Sequence, residues 1–258
     1  MEVKYGLDKP LTQQYLSYIT GLITRADMGL SLKYPNRDVV DILKDAIPIS
    51  LVMGSLAFSL ALIIGFALAF WAVVFQDSAW AKSTLEFFTS SSLSVPSFVF
   101  AGIFVWLLGL QLDLLPVALL EGPEYMVLPV LSLAIIPAAY IAKISYASLS
   151  EAFSKKYIVA ARAKGLGEIS VLLRHALKNA LLPILTILGP LFAILITGSF
   201  VIEHIFALPG MGKYFVTAFI NRDYFLVIGV VIVFASILLV INSLIDLMIL
   251  LIDPRLKE

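Results

Sequence analysis

Few residues in this chain are of a type that performs covalent chemistry. There are two histidines and no cysteine, which removes thiolate metal sites, disulfides and cysteine nucleophiles together. His175 and His204 are separated by an apolar run long enough to put them on opposite sides of a membrane. They read as a loop residue and an outer-surface residue, not as metal ligands. Lys213 follows Gly210 and Gly212, a pattern that hints at a phosphate-cradling loop. That loop needs a glycine five residues before the second glycine and a Ser or Thr after the lysine, and Ala207 and Tyr214 stand there instead. No G-x-S-x-G nucleophile elbow is present. The sequence therefore gives no catalytic residue, no metal-ligand set and no cofactor site, and it does not read as an enzyme.

Two polar groupings lie within otherwise apolar stretches. Thr89, Ser90, Ser91, Ser92, Ser94 and Ser97 surround Pro96. Their hydroxyls suit either the lining of a translocation path or hydrogen bonds between helices, and Ser90, Ser91, Ser94 and Ser97 are the path candidates. Asn242 and Asp246 are four apart, on one helical face. A carboxylate inside a membrane is a functional candidate by default, but Asp246 is only seven residues before Asp253. A position near the interface, with a packing or capping role, fits it better than a proton relay.

The elements that must carry these groups are set by composition. Of 258 residues, 60% are hydrophobic and 14% charged, 18 basic against 18 acidic, with a mean hydropathy of +0.99. Soluble domains carry about 25% charged residues, so this chain belongs in lipid, and its zero formal charge gives no reason to expect nucleic acid as a partner. A bilayer core of about 30 Å needs about 20 apolar residues per helix. Five runs qualify: one between Asp45 and Asp77, one from Phe87 to Leu112, one between Glu124 and Lys143, one between Lys178 and Glu203, and one from Tyr224 to Ile245. We expect an all-α membrane protein with a transmembrane body over 47–252.

Loop charges orient the spans. Lys143, Lys155, Lys156, Arg162, Lys164, Arg174 and Lys178 crowd the 143–178 loop, which the positive-inside rule places in the cytoplasm together with the 253–258 tail. Residues 1–46, with six basic and six acidic side chains, then fall outside. Leu11, Tyr15, Tyr18, Ile19, Leu22 and Ile23 give that segment the stripe of a short helix lying on the outer surface. Exporting so polar a segment normally needs an upstream hydrophobic helix, which is expected before Met1. Within the first span Ala57, Ala61, Gly65 and Ala69 recur every four residues, a ridge that lets a neighbouring helix approach closely.

The 143–178 loop carries the most specific pattern. Ser150 to Ile158 reads as a short polar helix. Small residues Ala160 and Ala161 and a turn at Gly165 then form a compact knob, with the loop giving way to helix near His175, Leu182 and Pro183. Such a knob suits insertion into a groove on a partner. The pattern resembles the E-A-A-x3-G motif of binding-protein-dependent ABC importer permeases. Val159, Ala160 and Ala161 stand at its first three positions, and Gly165 is the glycine. The glutamate is absent. Arg174 to Pro183, RHALKNALLP, resembles the dipeptide/oligopeptide/nickel branch, as do VPSFV (95–99), the run from Ile196 to Phe225, IDPRL (252–256) and GLDKPLTQQYL (6–16). Phe225 stands where that branch usually has proline.

The resemblance implies a type I importer permease that pairs with a second homologous permease in the bacterial inner membrane. Two cytoplasmic ABC ATPases would supply the ATP hydrolysis and an extracytoplasmic solute-binding protein would deliver di- or oligopeptides, with nickel or another small solute as the alternative and an ion-coupled secondary transporter further off. Tyr157, Val159, Ala160, Ala161, Arg162, Lys164, Gly165 and Leu166 would form the ATPase-docking loop. The family usually has six spans, one more than this chain.

Overall fold

A computed structural model describes residues 10–197 and 199–252. The tail from residue 253, with most of IDPRL, and residues 6–9 of the N-terminal family segment lie outside the described residues. The chain is helical, with one isolated antiparallel bridge, Leu30 to Asp38, among the described residues. Helix α1 is Leu11–Arg25, α2 is Val39–Val74, α3 is Ala79–Ser94 and α4 is Ser97–Phe104, which continues as π-helical turns over Val105–Gln111. A 3-10 turn at Pro123–Met126 leads into α5, Val127–Phe153; then come the short α6, Lys156–Ala163, and α7, Glu168–Val171. Helix α8 is Leu177–Thr197, α9 is Phe200–Ile205, α10 is Met211–Ile220 and α11 is Tyr224–Ile252.

Among the described residues four stretches are long and apolar enough to cross a membrane, and α3 with α4 and its π-helical continuation makes a fifth broken by a 102° bend. The bend has a local cause. Proline disfavours the helical region for its predecessor, and Val95 is extended at φ −112°, ψ 128°. Pro96 then starts the next helix without needing an amide partner. The span expected from Phe87 to Leu112 is therefore two differently directed helices.

Helix α2 has 36 residues, about 54 Å at 1.5 Å per residue, so it overshoots the bilayer core. It also runs unbroken through residue 46, where the sequence reading divided the N-terminal segment from the membrane body. The other spans run longer than their uncharged cores suggested: α5 continues past Lys143 to Phe153, and α11 continues to Ile252. Intrahelical hydrogen bonds, not the first charge met, decide where a helix ends. The segment read as one helix from Ser150 to Ile158 is broken instead, with α5 ending at Phe153, Lys155 extended at ψ 150°, and α6 restarting at Lys156.

The small-residue ridge of α2 is where the bundle closes. Ala57, Ala61, Gly65 and Ala69 are all buried. A Cβ at Gly65 would sit 2.7 Å from Ile141 Cγ2 and 2.9 Å from the Ala138 carbonyl oxygen on α5. One at Gly54 would meet Ile196 of α8 at 2.9 Å. Lipid tails are as apolar as leucine, so helices in a membrane gain little from hydrophobic burial and associate by close packing. These glycines make that approach possible. One core cluster joins Met53, Ala57 and Ala61 to Leu128, Ala134, Ala138, Leu195 and Phe206. A second joins Ala69 and Val73 to Leu149, Phe153, Ile158, Val171 and Ile184, at the other end of the bundle.

Helix α1 lies at the edge of the described bundle. Leu11, Tyr15, Leu16 and Ile23 are exposed, while Tyr18 packs on Phe225 with 6.2 Å between ring centroids. Gly65→Leu should lower stability by about 1–3 kcal/mol, the usual cost of overpacking. Thermal unfolding of the detergent-solubilised protein measures it, and an unchanged midpoint would contradict this account of the α2–α5 contact.

Candidate functional site

The loop between α5 and α8 folds as a knob with an inner and an outer face. Ile158 and Ala161 of α6 are buried, in the cluster that also holds Leu149, Phe153, Val171 and Ala176. Val159, Ala160, Lys164 and Gly165 are exposed, Tyr157 is 39% exposed and Leu166 is half-buried. Val159, Ile169 and Leu173 together put large apolar side chains on the outside of the knob, at 63%, 68% and 50% exposure. Gly165 has φ +79° and nothing within 4 Å of where a Cβ would be. The glycine is there for its backbone angle, not for want of space.

Arg162 is turned towards its own loop. Its Nε and Nη2 donate to the two Glu168 carboxylate oxygens at 2.8 and 2.9 Å, and its guanidinium lies 5.4 Å from the centre of the Phe153 ring. The hydrogen bond to Glu168 raises its pKa further. A bidentate pair of this kind fixes geometry as well as charge, so Arg162 braces the turn at Gly165 from within. His175 lies in the π-helical turn Leu172–Ala176 that leads into α8, and its carbonyl accepts from Asn179 Nδ2 at 3.0 Å. Leu182 and Pro183 do not mark a boundary, since α8 runs through both.

The hydroxyl cluster divides between two environments. Thr89 and Ser92 are buried, Ser90, Ser91 and Ser94 are exposed, and Ser97 is half-buried at the start of α4. Ser94 Oγ donates to the Ser90 carbonyl at 2.7 Å. On α11, Asp246 is exposed, and the buried Asn242 Oδ1 has no hydrogen-bond partner among the described residues.

At the end of the bundle opposite the knob, the structure brings together residues that sequence reasoning used only as charge markers. Glu203 is fully buried. Its Oε1 accepts from Ser50 Oγ at 2.8 Å and Ser199 Oγ at 2.6 Å, and its Oε2 from the amides of Gly212 at 2.7 Å and Lys213 at 3.2 Å. Ser50 Oγ in turn accepts from the Met211 amide at 2.9 Å. The first three amides of α10 are thus satisfied by one carboxylate and one hydroxyl from other segments, with the anion at the positive end of the helix. This accounts for the glycines that resembled a phosphate loop. A Cβ at Gly210 would lie 2.4 Å from Glu203 Oε2, and one at Gly212 would lie 2.3 Å from Phe200 Cα. The backbone there does cradle an anion, but it is the chain's own carboxylate.

Asp223 is a second buried carboxylate of this kind. It accepts from Ser31 Oγ and from the amides of Lys33 at 3.1 Å and Leu226 at 3.3 Å. It so caps α11 and ties it to the loop after α1. The cue for Asp223 was present in the sequence, an aspartate immediately before an apolar run; Glu203, eight positions from the helix it caps, offered none.

The described residues thus form a helical bundle with small-residue helix crossings and a compact knob between two spans. The chain belongs to the family described as binding-protein-dependent transport system inner membrane component, whose model matches residues 46–258. Over its whole length it is 39% identical to the oligopeptide transport system permease protein OppB of Haemophilus influenzae and covers 84% of that protein. It is likewise 39% identical to the dipeptide transport system permease protein DppB of Bacillus subtilis, covering 83% of it. A structure of the MetNI methionine ABC transporter in inward-facing conformations has the same fold, with a TM-score of 0.71 over 83% of this chain and 97% of that one, at 14% identity.

Glu203→Leu removes the acceptors that the Gly212 and Lys213 amides and the Ser50 and Ser199 hydroxyls meet. It should lower stability by roughly 2 kcal/mol or more, because buried donors are left unpaired. Glu151→Gln, at an exposed ion pair with Lys155, should be close to neutral. Equal melting temperatures for the two variants would contradict the capping role.

Proposed function

We propose that this chain is a permease subunit of an ATP-driven peptide importer. It forms the path for di- and oligopeptides with a second homologous permease, and two cytoplasmic ABC ATPases bind the pair. An extracytoplasmic binding protein delivers the peptide. The observation that carries this reading is the match, along the entire chain, to permeases named for oligopeptide and dipeptide transport. The orientation follows from the basic 143–178 loop, with the knob and C-terminus in the cytoplasm and residues 1–46 outside. In this reading α6 and the turn at Gly165 form the coupling element, and Val159, Ile169 and Leu173 are the apolar contacts that an ATPase cleft covers. ATP-driven closure of the ATPases would draw two such knobs together and swing the spans between inward- and outward-facing states as rigid bodies. The cluster that roots Ile158 and Ala161 against α2 and α5 supports this, since motion of the knob would be carried into both long helices.

The test is uptake by the complete complex in proteoliposomes, with its binding protein, of labelled di- and tripeptides against nickel. ATP-dependent peptide accumulation is expected. Accumulation of nickel alone would replace the peptide reading with the nickel one, and uptake driven by a proton gradient without ATP would overturn the importer reading. Gly165→Glu should leave ATP hydrolysis running while peptide uptake falls. A β-carbon at φ +79° strains the turn by about 1 kcal/mol and displaces the knob. Uptake and ATPase activity that both match the unmodified complex would remove Gly165 from the coupling element.

A further inference from the structure

Asp246 is a carboxylate that the bundle does not use. Glu203 and Asp223 each accept from several donors. The Asp246 side chain is exposed and has no hydrogen bond or ion pair among the described residues. Its seven-residue separation from Asp253 sets it near the membrane interface, but the packing of α11 sets it deeper. Ile245 seats against Gly189 of α8, where a Cβ would lie 2.7 Å from Ile245 Cδ1. Gly189 is eleven residues beyond Lys178, the last charge before that span, or about 16 Å along the axis. From the other side, Gly229 of α11 packs on Val39 and Leu43 at the start of α2. Asp246 lies seventeen residues past Gly229, about 25 Å along α11. With a hydrocarbon core of about 30 Å, both measures put Asp246 inside it.

The helix around it is bare. Of the four unbroken spans α11 is the least covered by the rest of the bundle, and Leu239, Val240, Leu244, Leu247 and Leu251 are all more than half exposed. Leu239, Asn242, Asp246 and Leu250 follow one another at helical spacing along one face. The Asn242 Oδ1 atom is buried on that face and has no hydrogen-bond partner among the described residues. Two acceptors one turn apart are therefore both without donors. Lipid offers none, and a carboxyl group set among acyl chains is costly. A surface that carries donors has to cover this face, and depth decides which. The ATPases and the binding protein of the proposed importer act beyond the two membrane surfaces, whereas the second permease shares the membrane interior.

We infer that the Asn242–Asp246 face of α11 docks a transmembrane helix of the second permease, which presents a donor-bearing side chain to Asn242 Oδ1 and the Asp246 carboxylate. The inference rests on the importer reading and adds to it the face through which the two permeases meet. Polar side chains that hydrogen-bond across helices hold membrane helices in one register. The pair also selects the partner. Two copies of this chain joined symmetrically through the same face would set carboxylate against carboxylate, so the face favours a different permease over a second copy.

In the complete complex, a benzophenone amino acid in place of Leu239 should cross-link to the second permease on illumination. Asp246→Leu should reduce the second permease recovered with this chain from detergent by about tenfold, the scale of one charge-assisted hydrogen bond. Asp246→Asn, which keeps an acceptor, should reduce it less. The Asp246→Leu chain purified alone should melt no lower than the unmodified chain, because the carboxylate it replaces is unpaired there. That measurement separates docking from folding. Cross-links only to lipid or within this chain, full recovery of the second permease by Asp246→Leu, or a lower melting temperature for that variant alone would each overturn the docking face while peptide uptake by the unmodified complex stays intact. An unmodified complex that transports without a second, different permease would instead overturn the reading beneath it.

Discussion

Between α2 and α5 the backbones approach until Gly65 has no room for a methyl group. This close contact, repeated at Gly54 against α8, is what the remaining architecture hangs on. In a bilayer the apolar surfaces of helices gain little by leaving lipid, so shape has to do what hydrophobic burial does in water. Helix α2 thereby becomes the axis of the bundle. Its middle holds α5, its beginning holds the Glu203 cap through Ser50, and its end holds the knob through Ala69 and Val73. A displacement at either end has a rigid element through which to reach the other.

The same restriction explains the polar groups. Helix ends need partners for their free amides and carbonyls, and lipid supplies none. At the end opposite the knob, Glu203 and Asp223 meet this need for α10 and α11 and fold the segment from Ser199 to Asp223 into a fixed cap. Ile202, Phe206 and Leu208 anchor that cap in the core around Met53 and Ala57. At the knob, Arg162, Glu168 and Phe153 hold the turn from inside and leave the apolar outer face uncovered.

Much of this was legible in the residues themselves. Apolar run length gave the spans, the four-residue spacing gave the α2 ridge, and the Ala160–Gly165 pattern gave the knob and the family. The failures were of one physical kind. Glu203 looked like a boundary charge because its donors come from residues 50, 199, 212 and 213, and no local pattern encodes such a meeting. The Arg162–Glu168 pair depends on how the Gly165 turn closes, so residue spacing alone does not reveal it. Leu182 and Pro183 looked like a boundary because proline ends helices in water, whereas within a packed span the neighbouring turns absorb the lost hydrogen bond and α8 continues.

The central claim is the proposal that this chain carries a knob that ATPases grasp to drive peptide transport. It is tested most directly by placing a single cysteine at Val159, which is exposed on the outer face of α6, and cross-linking it in the assembled, transporting complex. The account predicts a cross-link to an ATPase subunit whose yield changes when ATP is bound. A complex that imports peptide while Val159→Cys reaches no ATPase subunit, with or without ATP, would contradict it.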